Sequence, residues 1–274
     1  MELNIKNCSI ALALSLLLFA CNGNKDNVFE EDETTDLKVD SQTVSAENVF
    51  NAFPSRERII ELTGISRSEY NPTVLNDPIT VNKYATESSK ALNLGVYGAD
   101  LNVTGIYEQT DESFTFLQSV NILAKSLGIG SSFDERMIDR MTANKSNRDS
   151  TLEIVSQAFK SADTYLKANG RPGTSSLIVA GAWIEGVYLA CCTAKETGNE
   201  AIVKEVFTQA ESLNKLISLI EQSNIADDSA YVLKGLSSIK KIFDAKSDEI
   251  YTMAALTTLD KATSELRTKV TSGK

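Results

Sequence analysis

Apolar residues recur along most of the chain at spacings of three and four positions, the period of an amphipathic α-helix, and strand-like alternation is almost absent. Four stretches show this pattern most clearly, and each is predicted to bury one face. They are Leu152, Val155, Phe159, Ala162 and Leu166; Ile202, Val206, Ala210, Leu213, Ile217 and Ile220; Val232, Leu236, Ile239 and Phe243; and Tyr251, Ala255, Leu259, Ala262 and Leu266. The pattern predicts an all-α fold of about eight to nine helices, arranged as a single multi-helix bundle or as stacked helical hairpins.

Residues that start or stop helices give the expected bounds. Pro78 suits a first helical turn, and Gly128 suits a helix end. The expected helices cover about 79–108, 111–128, 199–220 and a last stretch from about 248 into the 260s. Two capping boxes, in which a Ser precedes a Glu by three positions, are predicted to start further helices at Ser132–Glu135 and Ser150–Glu153.

Residues 177–194 differ from the other predicted helices because they are apolar nearly all round, with small residues such as Gly181 and Gly186. A helix of this kind is expected at the centre of the domain. The stretch is also long enough for a membrane span to be an alternative. Glu185 at its midpoint and the interrupting glycines favour the buried helix.

The N-terminus has the pattern of a bacterial leader. Residues 10–20, IALALSLLLFA, follow Lys6 and have the length of a signal-peptide core, which is too short for a permanent membrane helix. Leu18, Ala20 and Cys21 resemble the lipobox of bacterial lipoproteins, which implies cleavage after Ala20 and lipidation of Cys21. A conventional signal peptide beside an unrelated Cys is the alternative. We predict a signal peptide over 1–20.

Residues 22–47 hold eight acidic side chains and two lysines, so this short segment carries −6 of the total charge of −10. Such a polar, self-repelling segment is predicted to be a disordered, extended tether, and its charge argues against a nucleic-acid partner. We therefore divide the mature chain into a lipidated tether over 21–47 and a helical domain over 48–274. Lys25, Asp26 and the following EEDETTD run resemble the acidic export signal of surface lipoproteins of Bacteroidota. A plain solvated linker is the alternative.

The chain has no histidine, which removes Ser-His-Asp and Cys-His catalysis and His-ligated zinc. It also separates the chain from imelysin-like helical lipoproteins, whose motif needs a His. We predict no catalytic residue, no metal site and no cofactor. Cys191 and Cys192 are adjacent, so a bond between them would strain the backbone, and we interpret them as small apolar residues rather than a redox pair.

Two acids lie within otherwise apolar helices, and each has a tyrosine three positions away. Tyr97 precedes Asp100, and Glu185 precedes Tyr188, so each pair shares one helical face. One hypothesis is that these four residues form a polar pocket, or a carboxylate pair that binds a cation or cleaves glycosides. The other is that each acid is a buried polar residue that is satisfied by Tyr, Arg or Lys, or that points to solvent.

The segments LNLGVYGADL and AWIEGVY, together with 149–153, resemble an uncharacterised family of all-helical Bacteroidota lipoproteins over about residues 80–225. The resemblance implies the fold class and an envelope location, and no activity. We expect an outer-membrane lipid anchor with the domain on the periplasmic or cell-surface side.

These observations lead to three hypotheses of function. The first is a non-enzymatic lipoprotein that is held in the membrane through lipidated Cys21 and binds an envelope protein or a cell-wall partner. The second is a small-molecule or glycan-binding module with a pocket near Asp100 and Glu185. The third is a carboxylate-based hydrolase. The single Trp and the aromatic content of 7% disfavour sugar binding on exposed rings.

Overall fold

Nine α-helices and four short 3-10 helices make up most of the described chain, and none of the described residues forms a strand. The computed structural model describes residues 70–144, 148–245 and 251–273. The all-α prediction and the expected number of helices are confirmed for these ranges. The predicted signal peptide, Cys21, the acidic tether and residues 48–69 of the predicted domain lie outside them.

The helices are numbered in chain order. They are α1 (Glu87–Ile106), α2 (Thr110–Ser126), α3 (Glu135–Ala143), α4 (Arg148–Ala168), α5 (Pro172–Thr197), α6 (Glu200–Phe207), α7 (Ala210–Gln222), α8 (Ala230–Phe243) and α9 (Met253–Thr271). The 3-10 helices are Pro72–Val74, Pro78–Lys83, Gly130–Phe133 and Asp227–Ser229.

Helix α5 is the centre of the bundle, as its all-round apolar sequence predicts. It packs most extensively against α1 and also contacts α4, α6, α7 and α9. Its single Trp, Trp183, is fully buried, and its Nε1 donates to Ser212 Oγ at 2.9 Å. By length and by a mean hydropathy of 1.7, α5 could cross a membrane, but 72% of that apolar window is buried inside the protein. This burial is what a core helix requires.

Helices α1 and α5 run in the same direction and touch backbone to backbone. A Cβ atom on Gly95 would overlap the carbonyl oxygen of Ile178, and one on Gly181 would overlap that of Leu92. Only glycine permits such a close approach at these two positions. The contact continues along both helices. Residues about one to two turns C-terminal to these glycines therefore lie in the same interface.

Most predicted apolar faces are buried as expected. The buried members are Val155, Phe159, Ala162, Leu166, Ile202, Val206, Leu213, Ile217, Ile220, Val232, Leu236, Ile239, Phe243, Leu259 and Leu266. Ala210, Ala255 and Ala262 are partly buried against this core, and the side chain of Leu152 is not among those described. Tyr251 is an exception, because it precedes α9 and is 48% exposed.

Two predicted helices are each divided. The helix expected over 79–108 is a 3-10 helix at Pro78–Lys83 followed by α1. A capping box starts α1 anew, since the Thr86 side chain accepts the Ser89 N–H and the Ser89 side chain accepts the Thr86 N–H. The helix expected over 199–220 is split into α6 and α7, and the Thr208 hydroxyl at the break donates to the Glu205 carbonyl at 2.7 Å. Such side-chain bonds compete with helix continuation.

Both predicted capping boxes are wrong in position. Ser132 lies in a 3-10 helix, and Asp134 caps α3 instead by accepting the Met137 N–H at 3.1 Å. Aspartate is as strong an N-cap as serine, and it stands nearer the helix start. Ser150 lies inside α4, which begins at Arg148.

Other predicted bounds agree more closely with the structure. Asn199 caps α6 through its side chain, and Pro78 is the first residue of its 3-10 helix. Gly128 has a left-handed φ of 73°, which suits its position just after α2. The last helix begins at Met253, after the N-cap Thr252, rather than near 248.

Candidate functional site

The four predicted pocket residues lie on the two central helices, Tyr97 and Asp100 on α1 and Glu185 and Tyr188 on α5. The structure brings the two acids together and adds a third charged side chain, Arg267 of α9. We call Asp100, Glu185 and Arg267 the acid cluster. It joins α1, α5 and α9 at the end of the close contact between α1 and α5.

Glu185 and Arg267 form a two-point ion pair. Arg267 Nε donates to Glu185 Oε2 at 2.6 Å, and Arg267 Nη2 donates to Oε1 at 2.7 Å. The Glu185 side chain is 0% exposed and that of Arg267 is 16% exposed. The guanidinium carbon also lies 4.2 Å from the centroid of the Tyr188 ring, which covers it through a cation–π contact.

Asp100 is fully buried beside this pair. Its Oδ2 accepts the backbone N–H of Asn76 at 3.2 Å. When the carboxyl group is ionised, its Oδ1 has no hydrogen-bond partner. Burial, followed by the negative charge of Glu185, raises the pKa of Asp100 well above its ordinary value of 3.8, and Arg267 opposes this rise. A proton on Asp100 lets it donate a hydrogen bond to Glu185. The cluster is then neutral, with one cation, one anion and one carboxylic acid.

Burial also raises the pKa of Glu185, although the two bonds from Arg267 act in the opposite direction. The two carboxyl groups are therefore a coupled pair that titrates as a unit. Glu185 is the member that carries the negative charge, because both of its oxygens accept charged N–H donors.

A segment that begins with the N-cap of the 3-10 helix Pro72–Val74 contacts the acid cluster through its backbone. We call residues 71–77 the strap. Arg267 Nη2 donates to the Val74 carbonyl at 3.1 Å, and Tyr97 Oη donates to the Asp77 carbonyl at 3.0 Å. Together with the bond from Asn76 N–H to Asp100, these contacts hold main-chain atoms of the strap. The Tyr97 hydroxyl thus binds the strap, and burial raises its pKa.

This arrangement limits the chemistry that the acids can perform. Glycoside cleavage needs two carboxyl groups that flank a bound substrate. Asp100 and Glu185 are both 0% exposed, and both Glu185 oxygens are occupied by Arg267. With the strap in place, neither acid reaches a surface where a substrate could bind.

A second polar region lies at the N-terminal ends of α1 and α5. It is a groove of about 350 Å³ whose lining includes Glu87, Arg171 and Thr174. Arg171 donates to Glu87 through Nε at 3.1 Å and Nη2 at 2.7 Å, and the Thr174 hydroxyl also donates to Glu87. These bonds, that of Thr174 first, lower the pKa of Glu87. The charged side chains of the groove therefore neutralise one another. No pattern in the sequence indicated this groove.

The described ranges also contain two thiols, those of Cys191 and Cys192. Cys191 is buried and Cys192 is half-buried, and both are free. Burial raises the pKa of Cys192, so its thiolate is disfavoured at neutral pH. Within the described ranges, no group of three or more Cys, Asp or Glu side chains is placed to hold a metal ion.

Arg267 and the strap are the members of the site that sequence reasoning missed. A buried acid needs a partner, so an Arg, Lys or Tyr could be expected beside Glu185. The chain contains 27 Lys and Arg residues, however, and no local pattern selects one that lies 82 positions away. Arg267 follows Leu266, a member of the predicted apolar face of α9. This position at the border of a buried face is the one feature of the sequence that points to Arg267 as a partner of a buried acid.

Comparisons of the chain with protein-family models, with curated proteins and with solved structures find no match.

Proposed function

We propose that this chain is a non-enzymatic binding module that is anchored in the bacterial envelope by a lipid on Cys21 and whose helical domain binds an envelope protein. The observation that carries the proposal is the sealed acid cluster. The two acids that the sequence marks as candidates for chemistry are used inside the fold, where they hold three helices together. Binding is therefore assigned to the outer surface of the domain.

The anchoring part of the proposal rests on the leader and its lipobox. Cys21 follows Leu18 and Ala20 at the spacing of that motif, and an acidic segment separates it from the helices. Lipidation of this kind attaches more than one acyl chain, which is what stable membrane anchoring requires. A polar tether then leaves the domain free to meet a partner away from the membrane surface.

The small-molecule alternative is weaker for a specific reason. A pocket at Tyr97, Asp100 and Glu185 would have to be open, and all three side chains are 0% exposed. The hydrolase alternative needs the same opening and a second accessible carboxyl group. Both alternatives predict that the acids contact the ligand or substrate, whereas the binding proposal predicts that they hold the helices and the strap in place and do not contact the partner.

The first experiment tests the partner. The full chain with a C-terminal tag is crosslinked in its native envelope and purified, with Cys21→Ser as the matched variant that lacks only the lipid-bearing sulfur. We expect one reproducible envelope protein with the unaltered chain and much less of it with Cys21→Ser. Recovery of no reproducible protein with the unaltered chain would contradict the proposal.

The second experiment separates the anchor from the binding activity. Detergent phase partitioning is compared between the unaltered chain and Cys21→Ser, and we expect only the former in the detergent phase. If both partition alike, lipidation of Cys21 is wrong, whatever the crosslinking result. A folded Asp100→Asn variant should keep the crosslinked partner, and loss of the partner at unchanged stability would favour a functional acid.

A further inference from the structure

The strap is bound through its backbone, and this is the feature that carries the inference. Three side chains from the helices hold three main-chain groups in sequence: Arg267 holds the carbonyl of Val74, Asp100 the N–H of Asn76, and Tyr97 the carbonyl of Asp77. A side chain of the strap adds a further bond to the rest of the protein, since Asn76 Nδ2 donates to Tyr84 Oη at 3.1 Å. Polar contacts to the backbone therefore fix the strap to the helices, together with Leu75, which packs against the core.

The strap also buries little of itself. Asn76 is its one buried residue, Val74 and Leu75 are half-buried, and the others are exposed. Directly after the strap the attachment becomes apolar, since Val81 and Tyr84 are 5% and 3% exposed in the core and the Tyr84 ring meets Tyr97 edge-on. The chain is thus anchored firmly at 81–84, whereas at 74–77 it is held by a few hydrogen bonds and by the partly buried Leu75. Segments with few buried apolar contacts open at a lower free energy than the core does.

The strap has local structure of its own. Asn71 caps the 3-10 helix Pro72–Val74, and Asp77 caps the 3-10 helix that begins at Pro78. Each cap bonds residues that are two positions apart, so these bonds persist when the strap leaves the helices. On the other side of the strap, Tyr70 donates a hydrogen bond to Glu112 and its ring meets that of Tyr107. Release of the strap as a preformed unit therefore breaks the three bonds from the helices and the Asn76–Tyr84 bond, between attachments at Tyr70 and at 81–84.

We propose that the strap is a releasable cover, and that the acid cluster with Tyr97 is the latch that holds it while the helix bundle stays folded. Release exposes the carboxyl of Asp100, the hydroxyl of Tyr97 and the guanidinium of Arg267, the three groups that the strap's backbone otherwise occupies. The covered state is a self-occupied site for the N–H and C=O groups of a peptide main chain. The inference goes beyond the proposed function and does not depend on it.

Hydrogen exchange tests the proposal on the intact chain, because the amide of Asn76 reports its bond to Asp100. In the unaltered protein we expect this amide to exchange at least about tenfold faster than the core amides of α5. Tyr97→Phe removes one latch hydroxyl and should raise exchange across 74–77 by about two- to tenfold, with α5 unchanged. Tyr231→Phe is the matched control, since Tyr231 packs on the core from α8, and it should leave the strap unchanged.

A second pair of variants tests the guanidinium without removing its charge. Arg267→Lys keeps a cation beside Glu185 but loses the planar fork that reaches both Glu185 and Val74. It should raise exchange at 74–77 more than Tyr97→Phe does. Lys195→Arg is the control, because Lys195 pairs with Asp260 and so links the same two helices, α5 and α9, through a different ion pair.

The proposal fails if Asn76 exchanges at the rate of the α5 core in the unaltered chain and in both latch variants, since the strap then opens only when the protein unfolds. It also fails if the two control variants accelerate exchange at 74–77 as much as the latch variants do. Selective acceleration at the strap supports it.

Discussion

Glu185 and Arg267 lie 82 positions apart in the chain and are joined by two hydrogen bonds, of 2.6 and 2.7 Å. The pair connects the central helix α5 with the last described helix, α9, and it is closed from solvent on the Glu185 side. A buried ion pair contributes less than its geometry suggests, because both charges lose their hydration. Removal of only one of the two partners is costly, however, because the remaining charge stays buried without a partner.

The first prediction concerns that one-sided removal. Arg267→Met should lower the free energy of unfolding by about 3–5 kcal/mol, because Glu185 is left as an unpaired buried anion. The comparison is Lys195→Met, which breaks the ion pair with Asp260 between the same two helices. Lys195 is 45% exposed, so this loss should be below about 1 kcal/mol. Urea unfolding followed by the fluorescence of buried Trp183 measures the free energy of unfolding of both variants. Equal losses would show that the Glu185–Arg267 pair stabilises the fold no more than an exposed ion pair does.

The second prediction is a pH dependence at Asp100. Burial and the charge of Glu185 raise the pKa of Asp100 above 3.8, its ordinary value. Between 3.8 and the raised pKa the folded chain keeps a proton that the unfolded chain releases, so stability falls as the pH rises through this window. Asp100→Asn is neutral at every pH and avoids this loss. Its melting temperature relative to the unaltered chain should therefore increase from about pH 4 to about pH 8.

The groups that face Asp100 support this assignment. Glu185 and Arg267 are its charged neighbours, and burial raises the pKa of both Tyr70 and Tyr97, so these tyrosines stay neutral over the tested range. Thermal unfolding followed by circular dichroism provides the measurement. A difference between the two proteins that stays constant with pH would mean that the folded state does not retain the proton of Asp100.

The third prediction concerns the close contact between α1 and α5. Gly95→Ala and Gly181→Ala each place a Cβ against a backbone carbonyl, of Ile178 and Leu92 respectively, and a backbone cannot move aside without separating the helices. Each should cost about 1–3 kcal/mol or more. Gly98→Ala is a graded comparison, because its Cβ meets the ring of Phe159, a side chain that can shift. A larger loss at Gly98 than at either of the other two glycines would contradict the backbone contact.

The fourth prediction concerns the thiols. Cys191 is fully buried and Cys192 is half-buried, and burial raises the pKa of Cys192. In a Cys21→Ser chain that begins after the leader, iodoacetamide at neutral pH should modify Cys192 slowly and Cys191 only after denaturant is added. Mass spectrometry of the digested protein distinguishes the two positions. Rapid modification of both in the native state would show that this part of α5 is open to solvent.

Part of the site follows from the sequence. Asp100 and Glu185 are acids in apolar helices, each with a tyrosine at helical spacing. This pattern led to the hypothesis that the two acids lie close together. The roles of the tyrosines were not predicted. Tyr97 binds the Asp77 carbonyl and Tyr188 stacks on Arg267, because the bundle places a strap beside one and a guanidinium beside the other.

The sequence by itself determined the helical class, the buried faces and the central position of α5, because the period of apolar residues acts within a few turns of one helix. It placed helix starts less well, since Thr86, Asp134 and Thr208 compete with neighbouring signals through single hydrogen bonds. The tertiary structure alone decided that Arg267 pairs with Glu185 and that the strap covers Asp100. Both contacts join distant parts of the chain, and such contacts depend on how whole helices pack, which no local pattern specifies.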